Sequence, residues 1–364
     1  MVGVIQSALS GLLANSQKIA TSANNIANQS TPGFKASRVG LESVDPGTGG
    51  GVQSNQQLLA GEGGLVAQTR NDLDLAVQGN GFFAVDNGTA DGQTRFTRDG
   101  SFTTNAQGEL TNGAGQRLQG FNIDAQGVEG NQLQPVQVGR GNITPQATSQ
   151  ISADLNLDSR VEASGSDTDF ARSVRVFDSL GTEQSLELNF DKTATNEFEL
   201  SVTDGQGTAV ATETLQFDGS GQLNSPADGQ VQLNNVDFNN GSAQQDITLD
   251  LSQTTQFAGE FTTDSVSQNG TGPGNFDSVS VAEDGTVTAE FTNGQSQAVA
   301  RAPVAIFSNP QGLQQAGNNA FTQTQDSGEP NFRTAGTGGS GTIQSGRLEL
   351  SNVSLSQELV TQKL

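Results

Sequence analysis

The chain has 364 residues, 32% of them hydrophobic, with 46 Gly and no Cys, His, Trp or Tyr. Without Cys or His there are no disulfides, no Cys–His or Ser–His nucleophile pairs and no conventional zinc site. The formal charge of −23 disfavours nucleic acid, and no stretch reaches the ~20 apolar residues of a membrane span. The charge is also unevenly placed. Residues 1–41 hold only Lys18, Lys35 and Arg38, residues 42–346 hold 37 acids against 11 bases, and residues 347–364 are neutral. Segments that pack into a crowded polymer avoid like charge, whereas outward domains can carry it for solubility.

The first element predicted is a helix over residues 4–27, a rod of roughly 36 Å. Ile5, Leu12, Ile19 and Ile26 recur every seven residues, with Leu9, Ser16 and Ala23 four positions after the first three. This 3–4 alternation is the seam of a helix that lies against other helices. Small or polar residues lie across from it: Ser7, Asn15, Gln17, Ser22 and Asn25. The segment Asn28 to Gly33 ends the helix, because Pro32 cannot continue it and Gly33 suits a left-handed turn. Residues 1–13 have no basic leader and an apolar run broken by Gln6, Ser7, Ser10 and Gly11, so no cleaved secretory signal is expected.

The long middle reads as β-structure. Alternation marks strands at Val174/Val176, Leu186/Leu188/Phe190, Phe198/Leu200/Val202 and Val287/Ala289/Phe291. Asn87-Gly88, Asp99-Gly100, Asp204-Gly205, Asp218-Gly219, Asp284-Gly285 and Asn293-Gly294 are predicted as hairpin turns. Short strands joined this way imply antiparallel sandwiches or barrels. Polar, Gly-rich stretches at 46–56, 141–150 and 267–276 are expected as linkers. At the C-terminal end, Ser354 with Gln357 forms a capping-box pattern, and Leu355 and Leu359 share a helix face. About ten residues are too few for a helix stable in isolation, so this one is expected to dock or to be the start of a longer helix. The alternating acids of Asp72-Leu73-Asp74 and Asp167-Thr168-Asp169 do not continue into a calcium loop. No nucleophile elbow or phosphate loop is present, so neither catalysis nor a cofactor or metal is expected.

Four motifs carry a family resemblance. Asn24-Asn25-Ile26-Ala27-Asn28 precedes Thr31-Pro32-Gly33-Phe34-Lys35. Leu73-Asp74-Leu75-Ala76-Val77 precedes Gly79-Asn80-Gly81-Phe82-Phe83. Phe96-Thr97-Arg98-Asp99-Gly100-Ser101-Phe102 follows, and Leu348-Glu349-Leu350-Ser351-Asn352-Val353 stands near the end. In this order they resemble the axial proteins of the bacterial flagellum, the rod and hook group. The inserted middle and its segment Val174 to Gly181 resemble the hook members most closely, as do Ala302 to Phe307 and Gly312-Leu313.

The resemblance implies a mainly β fold with terminal α-helices, in a discontinuous multi-domain chain. An inner helical layer carries two antiparallel β-rich domains. The domains are then 1–56 (coiled-coil-like helix and linker), 57–147 with 277–345 (inner β-rich domain), 148–276 (inserted outer β domain) and 346–364 (start of the C-terminal helix). It implies a structural subunit that self-assembles into a flexible hollow tube and transmits motor torque to the filament, through an interface including Ile5, Leu9, Leu12, Ile19, Ala23, Ile26, Leu355 and Leu359. The implied partners are copies of the chain, rod and hook–filament junction proteins, the hook cap and the type III export apparatus, at the extracellular hook and basal body. A distal-rod or other axial protein, and a secreted acidic β-rich adhesin or surface module, are the alternatives. Family members continue beyond the equivalent of Val360 into a long helix. Here the sequence reads Thr361-Gln362-Lys363-Leu364, which implies either a truncated or divergent chain or a shorter second inner helix.

Overall fold

The computed structural model describes residues 2–44, 51–88, 93–139, 143–163 and 168–363, with side chains omitted for 2–5 and 361–363. The chain divides into two units. The first comprises Met1–Arg140, Phe276–Glu290 and Gln295–Leu364, and the second comprises Gly141–Asn275 and Phe291–Gly294.

In the first unit, helix α1 spans Val2–Ala27 and helix α2 spans Leu355–Lys363. Strands β1 (Ser37–Val44) and β2 (Gly51–Leu58) form an antiparallel two-stranded ribbon, with Ser37 opposite Leu58 and Val44 opposite Gly51. The stretch expected as a linker at 46–56 is therefore strand from Gly51 onward, while 46–50 lie outside the described residues. The sequence Gly-Val-Gln-Ser-Asn-Gln-Gln lacks a strong apolar alternation of its own. Its pairing with β1 supplies what its composition does not signal.

The rest of this unit is built around a large, irregular sheet whose path includes Arg117–Ile123, Phe82–Asp86, Arg95–Thr97 and Ala320–Thr322. Its two faces bury separate clusters. Leu75, Val77, Phe83, Val85, Phe102, Leu118, Val304 and Ile343 form one. Phe82, Phe96, Phe307 and Phe321 form the other, with Leu58 and Ala60 from the end of the ribbon. Adjacent strand residues point to opposite faces, so Phe82 and Phe83 enter different clusters. Phe83 meets Phe102 edge-on at 5.6 Å, and Phe82 meets Phe307 and Phe321 at 6.0 and 5.9 Å.

The second unit contains an antiparallel meander, Phe170–Phe177, Glu183–Ala194, Glu197–Asp204, Ala209–Phe217 and Leu223–Ser225. A second five-stranded sheet is mixed. Gln150–Asp158 runs parallel to Gln245–Asp250 and Thr255–Phe257, but antiparallel to Thr262–Gln268. The inward residues of both sheets make one core, including Ile151, Leu155, Val174, Leu188, Phe190, Phe198, Leu200 and Leu249. The parallel pairings depart from the purely antiparallel expectation. The long excursion between the paired segments permits a crossover that no hairpin could make. The expected linkers at 143–149 and 269–275 run beside each other, bridged at Ile143–Gly274 and Gln146–Thr271; residues 141–142 lie outside the described set, and Gln150, Ser267 and Gln268 belong to strands.

Many hairpins share one construction that differs from the predicted Asp-Gly pairs. In Asp204-Gly205-Gln206-Gly207, the Asp204 Oδ1 accepts the amides of Gln206 and Thr208 at 2.9 and 2.7 Å, and Gly207 takes a φ of 84°. The same Asx-x-x-Gly turn recurs at Asn105, Asn112, Asp124, Asp178 and Asp218, with positive φ at Gly108, Gly115, Gly127, Gly181 and Gly221. The side-chain oxygen stands in for a turn hydrogen bond, and the glycine three residues on closes a three-residue loop. Thus Gly207 and Gly221, not Gly205 and Gly219, supply the left-handed residue. Gly88, Gly285 and Gly294 do so as predicted.

Candidate assembly interface

Helix α1 carries two parallel stripes. Ala14, Thr21, Ser22 and Asn25 are buried, with Ser7, Gly11 and Lys18 half-buried along the same side. This small and polar stripe faces the rest of the chain. Ser10 Oγ accepts the Val52 amide of β2 at 3.1 Å. Asn25 makes a reciprocal pair with Ser37, Nδ2 donating to its carbonyl at 2.8 Å and Oδ1 accepting its amide at 3.0 Å. Asn25 Nδ2 also donates to Glu358 Oε1 of α2 at 2.8 Å.

The other stripe is apolar and faces outward. Leu9, Leu12, Leu13 and Ile19 are 54, 68, 62 and 57% exposed. Ala23 is exposed and Ile26 half-buried, while the side chain of Ile5 lies outside the described residues. On α2, Leu355, Leu359 and Val360 are also exposed. Burying a large aliphatic side chain contributes roughly 1.5–3 kcal/mol, so this stripe leaves substantial association energy unused within one chain. Clustered apolar exposure of this kind marks an interaction face. Leu13 was not singled out in the sequence because it lies beside the heptad positions; its neighbour Leu12 carries the periodic signal.

The motif residues fall mostly behind this face. Asn24 and Ala27 are exposed, and Asn28 donates to the Asn24 carbonyl at 2.9 Å, closing the helix. The turn that follows is locked by Pro32, whose carbonyl accepts Asn319 Nδ2 at 2.7 Å, and by Gly33. Gly33 has a φ of 65°, and a Cβ there would lie 2.3 Å from the Arg98 carbonyl carbon. Its amide donates to the Glu349 carbonyl at 2.7 Å, and the Phe34 ring is buried beside it. Gly79 is exposed. Gly81 is buried with a φ of 118°, where a Cβ would lie 2.1 Å from Val304 Cγ1. Ser351, Asn352 and Val353 are half-buried. Asn352 ties three segments together, its Oδ1 accepting the Ala36 amide at 2.7 Å and its Nδ2 donating to the carbonyls of Leu59 and Glu62.

Among these motifs lies an ionic cluster that sequence reasoning did not single out. Glu349 accepts Lys35 Nζ at 2.6 Å, Arg98 Nη1 at 2.9 Å and the Gly64 amide at 2.7 Å. Lys35 also donates to the Glu62 carbonyl at 2.6 Å, and Arg98 to the carbonyls of Val77 and Gly79 at 3.0 and 2.7 Å. All three side chains are essentially inaccessible. Burial pushes the Glu349 carboxyl upward, but the Arg98 and Lys35 charges and the hydrogen bonds from Lys35 and Gly64 outweigh it and hold the group below its ordinary range. Burial lowers Lys35 and Arg98 in turn. The available signal was a charged residue, Lys35, Arg98 or Glu349, inside each of three motifs that are otherwise mostly apolar, Gly-rich or polar. Among the described residues no cluster of metal-ligating side chains is found.

Residues 5–35 match the family model described as flagella basal body rod protein, residues 76–157 that of the flagellar hook protein FlgE/F/G D1 domain, and residues 156–271 that of the flagellar basal body protein FlaE D2 domain. An N-terminal rod-type helix followed by these two β-rich modules defines an axial protein of the flagellar rod and hook class. The chain is 32% identical to the flagellar hook protein FlgE of Rhizobium meliloti, over 99% of this chain and 92% of that one. It is 31% identical to FlgE of Salmonella typhimurium, over 97% and 91%. The fold resembles the crystal structure of the Helicobacter pylori flagellar hook protein FlgE2, with a TM-score of 0.56, 14% identity and coverage of 78% of this chain and all of that one. The chain belongs to the flagellar hook protein family.

Proposed function

We propose that the chain is the repeating subunit of the flagellar hook and that it polymerises through the outward stripe of α1, with the exposed residues of α2 beside it. The observation that carries this reading is the inversion of α1, whose polar face docks within the chain while Leu9, Leu12, Leu13 and Ile19 remain exposed. Close-packed helices from many copies would bury that stripe and form the continuous inner layer of a hollow tube. In this reading residues 57–147 with 277–345 form the inner β-rich domain and residues 148–276 the outer one. A tube that bends while turning needs outer contacts that exchange cheaply. The acidic, Gln-, Asn-, Ser- and Thr-rich surface of the outer domain suits wet contacts that change partners at small energy differences.

This role brings the partners that a hook subunit meets: further copies, rod and hook–filament junction proteins, the hook cap and the type III export apparatus, with export that leaves the N-terminus uncleaved. The curated relatives are named as hook proteins, which favours this reading over a distal rod protein or a secreted adhesin. No catalytic role is proposed. The test is electron microscopy of the full chain under assembly conditions, beside Leu12→Glu/Ile19→Glu. Tubes from the parent chain and folded, soluble monomers from the variant are expected. Equal polymerisation of both would refute the interface.

A further inference from the structure

The buried Lys35–Arg98–Glu349 cluster does no work on the outward stripe, and it is an expensive arrangement to bury. Two cations share one carboxylate, and the Arg98 Nε–H has no acceptor among the described residues. Replacing such a cluster with apolar residues often raises stability, whereas removing one partner leaves an uncompensated charge. Its value therefore lies in where it holds the chain.

Its three members come from widely separated parts of the sequence. Lys35 follows α1 by eight residues, Arg98 lies just beyond strand Arg95–Thr97, and Glu349 closes strand Arg347–Glu349, just before α2. Glu349 grips the segments that join α1 to the ribbon and the ribbon to the sheet (28–36 and 59–65, together the neck) twice more, through the Gly64 amide on its Oε1 and the Gly33 amide on its backbone carbonyl. Asn352, three residues on, holds Ala36, Leu59 and Glu62. Both segments that join α1 and the ribbon to the sheet are thus fastened to residues 349–352, in addition to the Pro32–Asn319 contact. Without that segment, Lys35 and Arg98 would face each other as like charges in a desolvated site. Among the described residues, Glu349 is the one carboxylate in an ion pair with either.

We infer that Glu349 is a positioning residue that makes docking of the N-terminal neck conditional on arrival of the C-terminal strand, so that α1 and α2 become presentable for assembly together. A chain appears N-terminus first during synthesis, so both cations precede the acid that neutralises them. A subunit whose C-terminal strand has not yet folded keeps its neck loose and stays out of the polymer. The inference rests on the reading of α1 and α2 as assembly elements.

The experiment compares Glu349→Gln, Glu349→Asp and Lys35→Met in the full chain by amide hydrogen exchange. The reporters are the neck amides of Gly33, Ala36 and Gly64. The references are the buried core amides of Leu110 and Val136, which donate to the carbonyls of Val136 and Leu118. In Glu349→Gln the neck amides should exchange at least roughly tenfold faster while the references are unchanged. Glu349→Asp should recover part of the protection. Lys35→Met leaves a neutral Arg98–Glu349 pair and should keep most of it, an asymmetry that a general packing role would not produce. Unchanged neck exchange in Glu349→Gln, equal loss at Leu110 and Val136, or equal damage from Lys35→Met would each overturn the inference. Tube formation is scored separately. Failure of the parent chain to form tubes would count against the assembly reading, and the exchange data would still decide the role of Glu349.

Discussion

The second unit and helix α1 use apolar residues in opposite ways. In the meander, Val174, Leu186, Leu188, Phe190, Phe198, Leu200 and Val202 point into the core, and their neighbours in sequence are mostly polar and at least partly exposed. In α1 the buried stripe is Ala, Thr, Ser and Asn, while the leucines and Ile19 face outward. The strands satisfy their hydrophobic pattern within one chain. The helix satisfies only its polar pattern there, which leaves its apolar pattern exposed. Amphipathicity read from sequence gives the periodicity of a face; which stripe docks within the chain depends on what the chain offers beside it. Here the ribbon and α2 offer hydrogen-bonding groups at Ser37, Val52 and Glu358.

The sharpest way to break this comparison is to place charge on each side of it. Leu12→Glu/Ile19→Glu should abolish tube formation in electron microscopy while leaving the melting temperature within about 2 °C, because exposed positions away from buried features usually change stability by at most about 0.5 kcal/mol. Charge in the meander core, as in Leu188→Glu, should instead unfold the second unit, visible as loss of β-type circular dichroism.

The neck should respond next most strongly. Glu349→Gln should weaken docking of the neck by about 3–5 kcal/mol, read as the local opening free energy of its amides in hydrogen exchange, because two buried cations lose their acid. The same group predicts a pH response. The carboxyl is held below its ordinary value of 4.5 by Arg98 and Lys35 against the cost of burial, with Glu62 nearby. Its contribution is therefore fully present above pH 4.5 and is lost as pH falls through the depressed folded value. The acid limb of a stability–pH profile should flatten in Glu349→Gln; an unaltered limb would remove Glu349 as its source.

Gly81→Ala is expected to cost about 2–4 kcal/mol, because a Cβ would press on Val304 at a φ that L-residues rarely adopt. The smallest effect belongs to a pair in the second unit, exposed Arg160 with half-buried Asp158. Asp158 is lowered to about 2, chiefly by its hydrogen bonds with the Arg160 side chain and amide. In Arg160→Ala, NMR titration should find Asp158 closer to its ordinary 3.8, with no measurable change in melting, as is usual for surface ion pairs.

Much of the scaffold was legible because its signals are local. Pro32 and Gly33 end α1, which spans Val2–Ala27, and the alternations at 174–176, 186–190 and 198–202 lie in strands. What was hidden depends on distant partners. The ribbon strand Gly51–Leu58 exists through pairing with Ser37–Val44, and the parallel strands require a crossover that composition does not encode. Asp204-Gly205 misled because two glycines compete for the left-handed position, and the Asp side chain reaching Gln206 and Thr208 selects the second. At the candidate site, the heptad picked out Leu9, Leu12 and Ile19, which are exposed, but not Leu13. The Lys35–Arg98–Glu349 cluster stayed unseen because its members are separated by up to 314 positions and meet only in the fold.

The most direct test of the central claim uses the absence of Cys in the chain. A spin label on Leu12→Cys, beside a control on Leu180→Cys, which is 59% exposed in the second unit, can be followed by electron paramagnetic resonance before and after polymerisation. Burial of the α1 stripe predicts a label at position 12 that becomes immobile and inaccessible to a water-soluble relaxing agent, while the label at 180 stays accessible. A label at position 12 that remains as mobile and accessible in the tube as in the monomer would contradict the claim.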